Sequence, residues 1–473
     1  MFSAKTLIPA AALFICACAT PPPAPTASIP RVADLAAMTE SDAAQALALS
    51  DANWGYAVID AASGDVLESR NADHGFPPAS TAKLPTMVAA LSVLGPTYRF
   101  TTQLFARGRL KAGTLHGDLV LAGDGDPLLT AGDLRALAIR MKDIGIRRLD
   151  GHFLYASALP VIAEVEPAQP ATAPYNQGVG GLNIEFNRVL LTRPDGMQAD
   201  AFTTPPEALP LIPGTPDNGS PGDNPEISEM PVRAPGRLAA LLLRRFAAAE
   251  GIALPTPVPG APPAGAVSLA QIRSQPLIEI ARAGLEYSNN MVAEVIGLAA
   301  SRALGSGAET LRASADTLGI RLEHDIAGLH RFATALANHS GLSTQSRMSP
   351  VQMTAILKYA LEQRFDGWRF DTLLTPGGAR SNLRGRFRDP DTAFRVWAKS
   401  GTMRYIKGLA GYLDAHSGRR LIFALFVHDP AKRAVLENDP ERYGPRARAA
   451  STDWRNRTDA FEASLIARWT RTH

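Results

Sequence analysis

Ser80 and Lys83 stand three residues apart in the stretch PASTAKL, residues 78 to 84. At helical spacing i and i+3 their side chains lie on one face, so a hydroxyl and an amine can share a hydrogen bond. A serine hydroxyl is a poor nucleophile until a base takes its proton. Lysine can be that base where burial or a neighbouring cation disfavours its ammonium form. Lysine is also scarce: eight lysines stand among the 48 Lys and Arg residues, and arginine does not give up its proton in a protein. Two further short patterns follow in chain order, Ser288-Asn289-Asn290 in LEYSNNMVAE and Lys399-Ser400-Gly401-Thr402 in VWAKSGTM. Each has a bland alternative. A lone S-x-x-K is weak, Ser288 could cap a helix, and Lys399 could guard an exposed strand edge.

The elements that must position these groups can be read from the pattern around them. Pro77 and Pro78 stop any upstream helix and place Ser80 at the start of the next, where free N–H groups point outward. That helix continues through Leu84, Val88, Leu91 and Val93. Pro85 is awkward within it, because proline removes a backbone hydrogen bond. Residues 31–50 carry Val32, Leu35, Met38, Ala43 and Leu47 at helical spacing and predict one amphipathic helix. A hairpin follows, with Trp54, Tyr56 and Val58 alternating and a turn at Ser63-Gly64-Asp65. Ser288 to Asn290 lie between two helices, the first starting at Ser274 with Pro276. Lys399 enters a long hairpin that turns at His416 to Arg419, and a helix bearing Phe461, Leu465, Ile466 and Trp469 closes the chain.

These pieces predict an α/β chain of the α+β type, one antiparallel sheet with helices on both faces. Residues 36–106 and 266–473 form the main domain. Residues 107–265 are expected to be an insertion, mostly β, with a hairpin tip at Lys111 to Gly113, a helix in GRLAALLLRRFAAAEG and proline-dense connectors.

At 473 residues and 46% hydrophobic composition the chain can bury several cores. A formal charge of +3 without a basic stripe argues against nucleic acid. Asp124 and Asp126 in GDGDP lack the rest of a calcium loop and read as a turn. Nine histidines without H-E-x-x-H argue against a zinc peptidase, and GVGG at 178–181 lacks the strand and helix of a nucleotide site. No metal and no cofactor is expected. Lys5 and the apolar run Leu7 to Ile15 read as an export signal, too short for a permanent span. The two cysteines, Cys16 and Cys18, end this run, so the mature fold is expected to hold no disulfide.

S-x-x-K, S-x-N and K-[ST]-G, in that order, are the motif set of penicillin-binding proteins and serine β-lactamases. With WGYAVIDAASGDVL, LVLAGDGDPLL, NHSGLSTQSRMSP and LRGRF, the chain resembles the D-alanyl-D-alanine carboxypeptidase/endopeptidase family of low-molecular-mass, class C penicillin-binding proteins. The likeness covers nearly the whole mature chain. It departs in two places, Ser400 where threonine is commoner and Asn382 where the family usually has threonine. The resemblance implies a penicillin-binding transpeptidase-like fold and hydrolysis of peptidoglycan stem peptides, with penicillins as inhibitors. It assigns Ser80 as nucleophile, Lys83 as general base and Ser288 as proton relay. Asn290 would orient the peptide amide and Lys399 would attract the terminal carboxylate. The hydroxyls of Ser400 and Thr402, on either side of Gly401, would bind that carboxylate, and the Ser80 and Thr402 N–H groups would form the oxyanion hole. I-C-A-C resembles a lipoprotein signal over residues 1–18 that would leave Cys18 to carry lipid, with residues 19–35 as a Pro-rich tether and Ala19 suggesting the outer membrane. An ordinary signal peptide is the alternative. The resemblance thus places the protein in the periplasm with β-lactams and peptidoglycan peptides as ligands and a lipid as its membrane contact. A serine β-lactamase, or a non-catalytic wall-binding module, is the competing function.

Overall fold

A computed structural model describes residues 28–50, 52–192, 198–199, 227–330, 332, 335–379 and 381–473. Cys16, Cys18, the signal, most of the tether and much of the proline-dense stretch after 205 lie outside the described residues. The chain opens with two short helices, α1 (Val32–Ala36) and α2 (Glu40–Ala46), where one was expected. Thr39 separates them: its extended backbone lets its hydroxyl accept from Asp42 N–H and cap α2. The hairpin β1 (Asn53–Asp60) and β2 (Val66–Arg70) follows. A 3₁₀ turn, Ala79–Ala82, then leads into α3 (Lys83–Leu94). Pro85 is the third residue of α3, within the first turn of α-helix, where N–H groups have least use for intrahelical acceptors. The awkwardness expected of it is thereby removed.

The next elements leave and rejoin the main body. They are β3 (Thr101–Lys111), β4 (Thr114–Gly123), α4 (Ala131–Asp143), β5 (Arg148–Asp150), β6 (Phe153–Ser157), β7 (Arg188–Thr192), β8 (Gln198–Ala199), β9 (Ile227–Pro231), α5 (Pro235–Ala249), β10 (Val258–Pro259) and β11 (Val267–Arg273). The boundaries expected at 107 and 265 need correction. Residue 107 falls inside β3, and β3 pairs with β11 from Thr101 opposite Arg273. The neck lies one residue further out. Phe100 N–H donates to Ser274 Oγ at 2.9 Å, and Ser274 N–H returns to the Phe100 carbonyl at 2.9 Å. Ser274 therefore ties the neck and does not cap the helix that follows, whose N-cap is Pro276. Alongside the helix expected at 236–251, α4 packs on the same sheet. Leu134, Leu137, Met141, Leu238 and Leu242 share one core with Leu104, Leu119 and Leu121.

The main body resumes with α6 (Leu277–Glu286), α7 (Asn290–Ala303), α8 (Leu311–Asp325), α9 (Pro350–Glu362), β12 (Thr375–Pro376), β13 (Val396–Met403), β14 (Ile406–Asp414), β15 (Arg420–His428), α10 (Pro430–Glu437) and α11 (Pro445–Thr472). Its sheet runs β12-β13-β14-β15-β1-β2, every described pair antiparallel. Alternation along β15 explains why both faces are covered. Leu421, Phe423, Leu425 and Val427 join the core beneath α11, while Ile422, Ala424 and Phe426 join the core containing α3 and α7. α3 is buried nearly all round, with Leu84, Met87, Val88 and Leu91 at 1% exposure or less. Burial on that scale is worth about 1.5–3 kcal/mol per large side chain, and it holds the first turn of α3 in the middle of the molecule. Among the described residues no helix is long and apolar enough to cross a membrane.

Candidate active site

The 3₁₀ turn that carries Ser80 is held from two sides by glycines. Gly401, on β13, packs so closely that a Cβ there would lie 2.8 Å from both the Pro78 carbonyl oxygen and the Ser80 nitrogen. Gly341, at φ +75°, would drive a Cβ to 1.9 Å from the Ala79 oxygen. Ala79 itself takes a left-handed φ of +46°, a backbone state that a residue with a Cβ holds only where its surroundings impose it. The third motif is thus pressed against the first by the absence of a side chain.

Lys83, completely buried, reaches back from α3 so that its Nζ lies 2.9 Å from Ser80 Oγ, 2.8 Å from Asn290 Oδ1 and 2.9 Å from the Ser340 carbonyl oxygen. Burial is the main force pushing its ammonium well below the ordinary lysine value, and the nearby Lys399 charge adds to it, while Glu294 opposes. Glu294 lies one turn along α7 from Asn290 and is also fully buried. It accepts the N–H groups of His339 and Ser340, both at 2.9 Å. It therefore fixes the loop whose carbonyl meets Lys83, and burial raises its own carboxyl.

The second motif divides its work between neighbours. Asn289 is the N-cap of α7, accepting from Val292 N–H at 3.2 Å, so the capping role does not fall to Ser288. Ser288 instead sits at φ +55° and accepts from Lys399 Nζ at 2.9 Å. Lys399 is 3% exposed and points inward from β13, also donating to the Ser400 carbonyl at 2.6 Å. It is not an edge-guarding lysine. Burial first and Lys407 second lower it from 10.5 to about 7.

Ser400 is buried and Thr402 exposed on the same strand. Thr402 Oγ1 accepts from Lys407 Nζ, 3.2 Å away on β14, and Lys407 is held at 2.6 Å by Asp459 of α11. Glu462 and Arg386 complete that cluster, the two joined at 2.6 Å.

The inserted region also reaches the site. Its loop over residues 163–176 is gathered by Arg233, whose guanidinium donates to the carbonyls of Ala163, Ala171 and Asn176. The loop's Tyr175 carbonyl accepts Asn290 Nδ2 at 3.0 Å. A cavity of about 680 Å³ opens between this loop and the main body, lined by Ser80, Ser288, Asn290 and Thr402. A second, of about 650 Å³, shares Ser80, Ser288, Thr402 and Arg455 with the first and is lined in addition by Ser400, Lys407 and Asn382. Among the described residues no cluster of His, Cys, Asp and Glu has the arrangement of a metal site.

All eight residues singled out around Ser80 thus meet in one place, while Cys18 lies outside the described residues. The contributions of Glu294, Ser340, Lys407 and Tyr175 were not legible as roles. NHSGLSTQSRMSP, which contains Ser340, stood out as a stretch without showing that a backbone carbonyl was its working group.

Comparison with known proteins gives this architecture a class. The model of the D-Ala-D-Ala carboxypeptidase 3 (S13) family matches residues 35–196 and 219–442. The chain belongs to that family, whose members are serine hydrolases of peptidoglycan. It is 29% identical to a carboxypeptidase of Mycobacterium tuberculosis over 87% of this chain and 86% of that one. It is 28% identical to the D-alanyl-D-alanine carboxypeptidase of an Actinomadura species over 82% and 81%. In three dimensions it resembles penicillin binding protein 4 (dacB) of Haemophilus influenzae, with a TM-score of 0.76 at 21% identity, covering 92% of this chain and all of the other.

Proposed function

We propose that the protein cleaves the terminal D-Ala–D-Ala bond of peptidoglycan stem peptides through an acyl-enzyme on Ser80. The observation that carries this reading is Lys83. It is a fully buried amine 2.9 Å from the serine oxygen, with no ion pair among the described residues. A neutral amine can donate two hydrogens, to Asn290 Oδ1 and the Ser340 carbonyl, and use its lone pair to accept the Ser80 proton. Ser80 Oγ then attacks the carbonyl of the penultimate D-alanine as its proton passes to Lys83. Ser288, bonded to Lys399, is placed to hand a proton to the departing amine. Lys399, Ser400 and Thr402 receive the terminal carboxylate, and that negative charge in turn favours the protonated form of Lys399. The Ser80 and Thr402 N–H groups stabilise the oxyanion, a contribution worth on the order of a hundredfold or more in such sites. Water then releases the peptide with Lys83 again as base. The two cavities that meet at Ser80 leave room for a longer leaving chain, which supports cleavage of cross-links by the same route. The apolar run at 7–15 and Cys18 support export to the periplasm with lipid on that cysteine. Persistence of the Cys18→Ala protein in the membrane fraction would end the lipid assignment.

The test is to incubate the mature protein and Ser80→Ala with a labelled penicillin and follow bound mass over time. A long-lived adduct on Ser80 of the wild type only is expected. Rapid loss of the adduct would point to a β-lactamase, and no adduct to a non-catalytic wall-binding module.

A further inference from the structure

Glu294 is a buried carboxyl group that the acylation chemistry leaves without a task. It stands on α7 one turn beyond Asn290, is fully buried, and forms no ion pair among the described residues. Its Oε2 accepts His339 N–H and its Oε1 accepts Ser340 N–H, both at 2.9 Å, and the Ser340 hydroxyl bonds the same group. These donors converge on a carboxyl that, if protonated, would need an acceptor of its own. The arrangement suits a negative charge. Burial pushes the carboxyl up, and the hydrogen bonds and the nearby Lys83 oppose that rise.

Ser340 stands between this carboxylate and Lys83. Its N–H meets Glu294, and its carbonyl accepts from Lys83 Nζ at 2.9 Å. The loop has other anchors on all three neighbouring helices. Thr86 Oγ1 of α3 donates to the His339 carbonyl at 3.1 Å, and His339 Nε2 lies 2.8 Å from Ser314 Oγ on α8. On α7, Gly297 leaves the notch for the imidazole, since a Cβ there would lie 2.2 Å from His339 Cγ. The other titratable groups around the pair are Lys399, acting on Lys83 from β13, and His339, which burial pushes down to about 3 and keeps neutral.

We propose that Glu294 is a positioning residue for Lys83: a fixed negative charge, one residue removed from the amine, that stabilises the ammonium formed when Lys83 takes the Ser80 proton. The proposal rests on the peptidase reading and deepens it. As the Ser80 Oγ lone pair closes on the substrate carbonyl carbon, the carbonyl π pair moves to oxygen and the hydroxyl proton moves to Lys83 Nζ. A neutral pair thereby becomes an oxyanion and an ammonium. The oxyanion has its N–H donors, whereas the ammonium is buried among neutral contacts, and Glu294 supplies the opposite charge.

The test is penicillin acylation, followed by intact mass across a pH series, in wild type, Glu294→Gln and Glu294→Asp. In Glu294→Gln the plateau rate constant should fall about tenfold and the acidic limb should move down by about one pH unit, the scale set by one lost counter-charge. The two profiles should draw together at low pH, where Lys83 starts protonated and Glu294 favours ground and transition states alike. Glu294→Asp keeps the charge and should keep the limb. A merely structural role has the opposite sign: a loosened loop admits water to Lys83, which raises its proton affinity and moves the limb up. A limb unmoved or moved up in folded Glu294→Gln overturns the proposal. If that variant does not fold, the infrared spectrum of wild type at neutral pH decides. A carboxylic-acid band that shifts with carbon-13 glutamate and is lost in Glu294→Asp overturns the proposal, and its absence sustains the charge. No adduct on wild type would retire the peptidase reading and leave Glu294 nothing to act on, whereas an adduct with an unmoved limb in the variant retires the proposal alone.

Discussion

Lys399 and Lys407 lie on neighbouring strands, are 3% and 2% exposed, and differ in company. Lys407 has Asp459 at 2.6 Å and Glu462 at 3.7 Å. Lys399 has a serine hydroxyl and a carbonyl, and is lowered to about 7. Lys83 shares the second kind of environment, with a hydroxyl, an amide oxygen and a carbonyl as its contacts. Burial alone does not decide what a lysine does. With a counter-ion it remains a structural cation, and with only neutral acceptors it becomes an amine that can take a proton. The charge of Lys407 adds to the burial that depresses Lys399, and the charge of Lys399 adds to the burial that depresses Lys83.

The sharpest way to break this contrast is Lys83→Ala. It should slow acylation by penicillin by a factor on the order of a thousand or more, as expected for loss of the base from a concerted nucleophile pair. Near-wild-type acylation, followed by intact mass, would end the base assignment. In the wild type, kcat/KM should fall on the acidic side as Lys83 becomes protonated.

Lys407→Met attacks the other member. It leaves Asp459 and buried Glu462 with Arg386 as their remaining close cation, so unfolding free energy should drop by about 3 kcal/mol. Denaturant midpoints at matched m-values measure it, and a loss under about 1 kcal/mol would show that Arg386 suffices.

The smallest effect is a slope. Lys399 has a folded value of about 7 against an ordinary 10.5, so between those values the unfolded chain binds the extra proton and stability rises with pH. The contribution is at most about 1.4 kcal/mol per pH unit. Lys399→Met should flatten the rise between pH 7 and 9.5 relative to wild type. An identical slope in both proteins would mean that Lys399 stays charged in the folded state.

What could be read from the sequence followed local rules. The hairpin at 53–70 showed in the alternation of Trp54, Tyr56 and Val58 and its turn residues, and the one at 406–428 in two apolar runs about a turn, as strands buried on both faces require. The failures have equally local causes. Thr39 won as a cap and divided the expected helix over 31–50. Composition shifts marked the insertion near 107 and 265, but ladder pairing carried its true neck to Phe100 and Ser274.

The sequence by itself determined the chemical inventory: a serine and a lysine one helical turn apart, a second serine and asparagine, and a lysine beside a glycine. It could do so because motif spacing and short-range periodicity are properties of adjacent residues. Only the tertiary structure decided which lysines lose their counter-ions, since Lys83 and Asn290 are 207 residues apart and Lys399 and Ser288 are 111 apart. The same holds for the Ser340 carbonyl and the Glu294 brace. Desolvation and charge pairing depend on distances through space, and no spacing along the chain encodes them.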